Sequence, residues 1–599
     1  MQLEIQMRTF RFLVLILALA QGSGLAFGDD GRLRAAHTDH DNWLTYGHGY
    51  SNQRYSALDD ISVVNVQRLT PAWIYQTGVL GSFPANPLVV DGVMYLSTPH
   101  NHVVALDAAT GQERWRYTHE KTQEKLCCGS HNRGVAWGYG RVYMITADGR
   151  FVALDAESGE LVWDIPVVDP TTADAGDLAS IRRYNKDTAA AFESMTRFAG
   201  NMAPLVYDGK VIVGVSGTGY SAVLGEAESD SVSLLGRPGV RPGLRAFLTA
   251  YDATSGVLLW RWYVASSEGW EGEFATTTSF GDVMERDVAA EKANAGTYRD
   301  AWKGGGGSLY SSPSVDPALG LIYIGTGNPS PGYADYKRPG DNLHTSSVVA
   351  LDAETGELRW YHQVVPHDIW GYDVAAPPLL LDVVDDEGNT VPAVAAAAKT
   401  GWVYLLNRAT GEPVRRSQAF VPQSENMFTR PTTEGRLIAP GAGGGANWPP
   451  MAYSPLTDWI YVVASHNPTR YKKEIDDAGK AVNVISYLIN PDRWGTVSAV
   501  DPDDGVIKWQ EKTELPVISG ALATAGGLLF HGQSNREFLA RDLTDGRRLW
   551  SFQTGAGVNA PPVTYRVHGR QYVAVASGGH ALFKYPLGDA VIAFALPQK

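Results

Sequence analysis

An all-β chain folded as an eight-bladed β-propeller is what this sequence predicts. Three features predict it: a motif that recurs seven times, a lone tryptophan near the N-terminus, and a last strand that carries no tryptophan. The motif is a small or apolar residue, Asp, two or three residues, Gly, then Trp four residues after the Gly. It reads Asp107/Gly111/Trp115, Asp155/Gly159/Trp163, Asp252/Gly256/Trp260, Asp352/Gly356/Trp360, Asp501/Gly505/Trp509 and Asp542/Gly546/Trp550. A worn copy has Asn407 and Gly411, with Arg415 where Trp is expected.

Each copy predicts a β-hairpin. Apolar runs such as VVAL and FVAL supply a strand, and Asp and Gly shape the turn. Trp on the returning strand covers the next sheet. A second strand pair precedes the hairpin, as at 89–95 and 321–324, so each unit holds four strands. Trp73 has no hairpin partner nearby, and the strand at 590–596 has no Trp. Joining the two builds an eighth blade from both chain ends and hides two sheet edges. A solenoid would need no such closure. On this reading the motif aspartates are turn formers and the tryptophans are packing. Repeat spacing exceeds one blade near 164–250, 265–345 and 420–495, so long loops leave the propeller there. Residues 219–243 read as an inserted excursion.

The net charge of −14 and the absence of a basic run argue against a nucleic-acid partner. Arg8 and Arg11 precede an apolar run at 12–20 that ends in small residues, the pattern of a secretory leader over about residues 1–28. An uncleaved anchor is the alternative. One propeller domain over 29–599, periplasmic or secreted and without an integral membrane domain, is the expectation. The only cysteines, Cys127 and Cys128, are adjacent, and could pair only through a strained small ring; two buried thiols are the other reading. No C-x-x-C-H occurs, so no attached c-type haem is expected.

Further landmarks are Asn132-Arg133, Gly304-Gly305-Gly306, Gly325-Thr326-Gly327-Asn328-Pro329, Arg338-Pro339-Gly340-Asp341-Asn342, Pro366-His367-Asp368-x-Trp370 and Gly444-Gly445-Ala446-Asn447-Trp448. With the Asp…Gly…Trp repeat, they give the chain a resemblance from residue 43 onward to the pyrroloquinoline-quinone (PQQ) dependent alcohol dehydrogenases of the methanol and ethanol dehydrogenase kind. The resemblance implies that Cys127-Cys128 form a vicinal disulfide over one face of the quinone, with Tyr310 in place of a tryptophan on the other. It implies that Arg133 and Lys399 reach the quinone oxygens, that Asn447 contacts the cofactor, and that Ser216 and Gly217 hold one of its carboxylates. Asn328 would bind a catalytic cation, Ca²⁺ or a lanthanide, which acts as a Lewis acid. A carboxylate would take the alcohol proton while hydride passes to the quinone.

Residues also depart from that family. Gly219 stands where a metal-binding glutamate is expected, and Gly371 where the catalytic aspartate is expected. Ile518 replaces a tryptophan and Pro84 a glutamate. Asp373, two residues past Gly371, matches an extra metal ligand of lanthanide-using members and is the expected base and second cation ligand. Glu226, Glu228 and Asp230 have two readings, an acidic exposed loop or a source of the missing metal-binding oxygen. No metal site is expected at His131, His344 or His367. Arg133 has an ion-pair reading, Asn328 and Asn447 a turn-capping reading, and Lys399 a solvated-turn reading beside the functional one. The expected function is oxidation of an alcohol or related small hydroxyl compound, with electrons passed to a separate acceptor such as a cytochrome c or a quinone. A propeller that has lost redox chemistry and serves as a binding or assembly module is the alternative, and a hydrolytic propeller ranks last.

Overall fold

The Asp…Gly turns close as their residues dictate. In the first blade the Asp107 carboxylate accepts the backbone N–H groups of Ala109 and Thr110, each at 3.1 Å. Gly111 N–H returns to the Asp107 carbonyl at 2.8 Å, with Gly111 at φ 74° in the left-handed region. A computed structural model of the protein describes residues 29–120, 131–167, 198–217, 232–233, 245–332, 335–475, 481–487 and 491–598. The leader, Cys127, Cys128, Gly219, Glu226, Glu228 and Asp230 lie outside them.

Eight blades of four antiparallel strands follow around a ring, and the seventh gains a fifth, parallel strand from Tyr55–Ser56. Blade 1 holds Leu88–Val90, Val93–Ser97, Val103–Asp107 and Glu113–Tyr117, from the axis outward. The innermost strand is buried throughout and the outermost is largely exposed. Blades 2 to 7 repeat this order over 136–166, 205–263, 314–363, 379–416, 452–513 and 521–553. Blade 8 takes Val563–Val567, Arg570–Ser577 and Ala590–Ala595 from the C-terminal end and Thr70–Gln76 from the N-terminal part, with Trp73 opposite Ala593. The two chain ends therefore share one sheet, as the unmatched tryptophan and the unmatched strand predict.

Each seam between blades repeats one contact. Trp73 lies on Gly111, Trp115 on Gly159, Trp260 on Gly356, Trp360 on Gly411 and Trp509 on Gly546, so tightly that an added Cβ would fall 2.4–2.6 Å from the ring. The indole N–H then donates to the carbonyl of the residue after the motif Asp or Asn: Ala108 at 3.0 Å, Ala156 at 3.1 Å, Ala353 at 3.3 Å, Arg408 at 3.1 Å and Leu543 at 2.9 Å. Arg415, at the worn copy, does the same work with a guanidinium. Its aliphatic stem lies against Gly505 and its Nη1 donates to the Pro502 carbonyl at 3.2 Å. At the Trp163 seam the equivalent carbonyl, Ala253, is already taken by Tyr143 at 2.8 Å and Arg141 at 2.9 Å.

The ring has no open bore. Residues 43–56 thread its axis and bond to one inner strand after another. Trp43 bridges Val89 of blade 1, the Tyr50 hydroxyl donates to Val206 of blade 3, and Val315 of blade 4 donates to the Tyr50 carbonyl. Asn52 and Gln53 donate to Pro378 and Leu380 of blade 5, and Tyr453 of blade 6 donates to Gln53. Fully buried Arg54 ends the run, donating to Ala521 at 2.9 Å beside blade 7 and to Pro562 at 2.5 Å beside blade 8.

Two of the long excursions carry structure of their own. The one at 265–345 holds a short helix, Val288–Asn294, whose N-terminal turn is capped by Asp287. The one at 420–495 supplies Arg436–Ile438, Thr469–Ile475 and Ala481–Tyr487 to a separate sheet, and Val232–Ser233 of the 219–243 excursion joins it. Among the described residues no helix is long and apolar enough to cross a membrane.

The seam contact has a measurable consequence. Gly356 and Gly388 share the left-handed conformation, at φ 73° and 85°, but an added methyl meets Trp260 at 2.5 Å in the first and open space in the second. Gly388→Ala should lose only the left-handed penalty of about 1 kcal/mol. Gly356→Ala should lose roughly 1–3 kcal/mol more from overpacking, read as the larger fall in denaturant midpoint.

Candidate active site

Blade topology decides which distant residues meet. In an antiparallel blade, the residue entering the innermost strand and the residue leaving the second strand lie at the same end. Arg133, Tyr310, Asp373, Asn447 and Ile518 precede the innermost strands of blades 2, 4, 5, 6 and 7, while Ser216, Asn328, Lys399 and His580 follow the second strands of blades 3, 4, 5 and 8. All therefore gather at one mouth of the ring, above the plugged axis.

Asp373 is the hub of this mouth. Its Oδ1 accepts the Asn328 backbone N–H at 2.7 Å, and its Oδ2 accepts the Tyr310 hydroxyl at 2.5 Å and the Lys399 ammonium at 2.7 Å. Asp373 and Lys399 are 2% and 6% exposed, so the pair is a buried one and the solvated-turn reading of Lys399 fails. Lys399 is pinned at the backbone as well: its N–H donates to the Asp373 carbonyl at 3.2 Å. The Asn447-Trp448 loop hangs on the same turn, where Ala446 N–H bonds the Ala398 carbonyl and Gly445, at φ 61°, leaves no room for a Cβ against the Lys399 carbonyl. The Asn328 side chain donates to the Pro329 carbonyl at 2.8 Å, so its contact with Asp373 runs through the backbone.

Asp368 shapes the loop that delivers Asp373. Its carboxylate collects the N–H groups of Trp370, Gly371 and Tyr372 at 2.7–2.9 Å and the Ser346 hydroxyl at 2.9 Å. Burial raises its pKa all the same. Gly371 sits at φ 82°, a conformation that an aspartate enters only with strain. Behind this loop, buried Arg286 pairs with Glu291 at 2.7 Å and Asp341 at 2.5 Å, which ties the 265–345 excursion down.

The opposite wall is aromatic and cationic. The Arg133 guanidinium lies 5.3 Å from the Tyr310 ring centre and 5.0 Å from that of Trp448. Trp448 stacks on His580 at 5.2 Å, and Ile518, Phe583 and Tyr585 complete the cluster. Both His580 ring nitrogens and the Trp448 indole N–H are buried without a hydrogen-bond partner. Ser216 opens a two-stranded pairing with Ala199, and its neighbour Val215 accepts the Leu309 N–H at 3.2 Å, beside Tyr310. Of the expected site residues, Arg133, Tyr310, Asn328, Asp373 and Lys399 are linked by contacts, with Asn447 between two linked neighbours. Cys127 and Cys128 lie outside the described residues. Asp368 and His580 escaped the sequence reading. For His580 a signal existed, because it follows the second strand of blade 8 as Lys399 follows that of blade 5.

Comparison with known proteins fixes the family. Residues 43–425 and 479–573 match the model for the β-propeller domain of PQQ-dependent glucose, ethanol and alcohol dehydrogenases. The chain belongs to the PQQ-dependent alcohol dehydrogenases. It is 32% identical to the dehydrogenase subunit of a quinone-linked alcohol dehydrogenase of Komagataeibacter europaeus, over 93% of this chain and 76% of that one. The solved quinohemoprotein alcohol dehydrogenase of Comamonas testosteroni superposes with a TM-score of 0.76 at 28% identity, covering 97% of this chain and 84% of its own. A europium-containing methanol dehydrogenase superposes with a TM-score of 0.74 at 27% identity, covering 94% and 100%.

The two groups that this dehydrogenase family implies fare differently here. A flat polyanionic quinone fits the donor set. Two buried cations, Arg133 and Lys399, face one carboxylate, and aromatic rings with unused buried N–H groups line the same wall. A hard cation does not fit the described residues. Such ions take six to eight oxygens, several of them carboxylates, whereas this mouth offers Asp373 alone and no group of three His, Cys, Asp or Glu side chains occurs among the described residues.

Burial also sets the acid sensitivity of the fold. Desolvation lowers the pKa of His48 and His362 to about 4 and of His531 and His580 to about 3. These imidazoles stay neutral in the folded chain while the unfolded chain protonates them near 6.5. Their contribution to stability is therefore complete above about pH 6.5 and is lost as pH falls from there toward 3–4. The thermal midpoint should be flat from pH 7 to 8 and fall below 6.5, with a shallower acid limb in His580→Gln than in the parent chain.

Proposed function

We propose that this chain is an exported PQQ-dependent dehydrogenase that oxidises an alcohol or a related small hydroxyl compound and passes the electrons to a separate acceptor, a cytochrome c or a quinone. A leader over residues 1–28 followed by one propeller domain over 29–599, in the periplasm or outside the cell, completes the proposal. The observation that carries it is the Asp373 carboxylate, buried at the mouth and held by Asn328, Tyr310 and Lys399 next to the Arg133–Trp448 wall.

Bound PQQ supplies a two-electron, hydride-accepting ortho-quinone, the one property the side chains lack. Arg133 and Lys399 would hold its oxygens and carboxylates as fixed positive charges, with Asn447 and the Ser216-Gly217 segment as further polar contacts. Trp448 and Tyr310 give the flat ring system apolar faces, and the vicinal Cys127-Cys128 pair is assigned to the same slot. Asp373 is the base. Its carboxylate takes the substrate hydroxyl proton, and the three donors fix its direction. The plugged axis below the mouth keeps bulk water from entering from behind.

Loading the purified chain with PQQ and following dye reduction over an alcohol panel tests the reading. The expected result is retained quinone and turnover with at least one alcohol. Asp373→Asn should keep the quinone and lose roughly 100-fold or more in kcat, the usual worth of a positioned base. A chain that retains no quinone under Ca²⁺, a lanthanide or a chelator is a binding module and not an enzyme.

A further inference from the structure

The positive charge of this site is part of the chain itself. We infer that the Lys399 ammonium takes the place of a bound metal ion, so that the pocket holds its polyanionic cofactor without a hard cation. The inference rests on the quinone reading above and adds the electrostatic basis of binding.

Four observations converge on it. Gly371 puts no carboxylate where the family resemblance expects one, and among the described residues no group of three His, Cys, Asp or Glu side chains stands beside Asp373. Asp373 Oδ2 is already committed to the Tyr310 hydroxyl and the Lys399 ammonium, and Oδ1 accepts the Asn328 N–H, which leaves Oδ1 the one oxygen with room for a substrate hydroxyl. An ion that coordinated Oδ2 would therefore have to displace donors. It would also meet like charge, because Nζ stands 2.7 Å from the oxygen it would use. Lastly, the lysine is held where it is. Its side chain is buried, its N–H is bonded to the Asp373 carbonyl, Gly445 presses on its own carbonyl, and Gln423 bonds the carbonyl of Thr400 beside it. With Arg133 it gives the pocket two fixed positive charges against one negative, so a ligand bearing several carboxylates supplies the balance that a metal would otherwise have to strike with protein acids.

The Gly371 turn fits this arrangement. Asp368 holds the loop through the N–H groups of 370, 371 and 372, with Gly371 at a left-handed φ of 82° and no carboxylate at that position.

The experiment measures PQQ binding to the purified full chain, by quenching of tryptophan fluorescence, in chelated buffer, in Ca²⁺ and in La³⁺, with metal content determined on the same samples. The expected result is an affinity equal within about threefold in all three buffers and no stoichiometric metal. Lys399→Met should weaken binding roughly tenfold or more in chelated buffer, and Lys399→Arg should restore most of it. PQQ binding that requires Ca²⁺ or La³⁺, or a co-purifying metal whose removal lowers the unfolding midpoint, overturns the inference and leaves the dehydrogenase reading intact. No PQQ binding in any buffer overturns both. If Lys399→Met does not fold, the three-buffer comparison on the parent chain decides the matter alone.

Discussion

Everything at the mouth depends on one repeated contact, a flat side chain of one blade laid on the turn glycine of the next. The glycine lets the ring approach, the turn carbonyl accepts its N–H, and the motif Asp or Asn holds that carbonyl in place. Five seams are closed by a tryptophan in this way and a sixth by Arg415, so residues separated by hundreds of positions are brought to one mouth. Arg415 shows which part of the contact matters. A guanidinium can replace an indole because it offers the same two things, a planar donor and an apolar stem over Gly505. A leucine would cover the glycine but leave the carbonyl of Pro502 without that donor.

The threaded segment 43–56 completes the rigidity and changes the electrostatics. Arg54 is wholly buried; its described hydrogen bonds go to uncharged carbonyl and amide oxygens, and its guanidinium lies over the Trp43 and Tyr46 rings. Burial lowers its pKa to about 10, which still leaves it charged near neutrality. Its Nη1 donates to the Asn86 side chain, and Asn86 N–H donates to the Arg133 carbonyl, so the axial charge is coupled to the mouth through one residue. A chain with a net charge of −14 thus concentrates positive charge at its axis. That contrast draws a small polyanion to the mouth while the outer surface carries the acidic excess.

The fold was legible because its grammar is local. Asp, Gly and Trp at fixed offsets specify a turn and a cover without reference to the rest of the chain, and the unmatched Trp73 and 590–596 strand point to each other by elimination. The site was legible only through resemblance, since nothing in the spacing of Arg133, Tyr310, Asp373 and Lys399 announces that they meet. What periodicity could have offered, and did not at first reading, is the blade register: the ends of the first and second strands mark the mouth in every repeat, and that rule reaches His580. The axial segment had no such signal. Residues 43–56 carry neither strand alternation nor the repeat, and their hydrogen bonds are scattered over the inner strands of blade after blade. Lys399 was ambiguous for a related reason, because a lysine in a Lys-Thr-Gly turn is solvated unless something beyond the sequence covers it.

The same pattern of burial bears on whether the departures at Gly219 and Gly371 mark a decayed site. A buried ion pair costs desolvation that its attraction rarely recovers in full, and apolar replacements of similar volume are often as stable. A mouth with no ligand to hold is freer to drift toward apolar packing, as the Ile518, Phe583 and Tyr585 side of the cluster illustrates. Instead the chain holds Asp373 with three donors, keeps Arg133 and Lys399 beneath the surface, and buries the nitrogens of His580 and the indole N–H of Trp448 without a protein hydrogen-bond partner. Each of these is an energetic cost to folding that a bound polar ligand would offset. Gly371 in place of an aspartate, beside a lysine that pairs with Asp373, makes the described pocket less negative. Such a change describes a shift in which charges the site uses to hold its ligand, with the capacity to hold one retained.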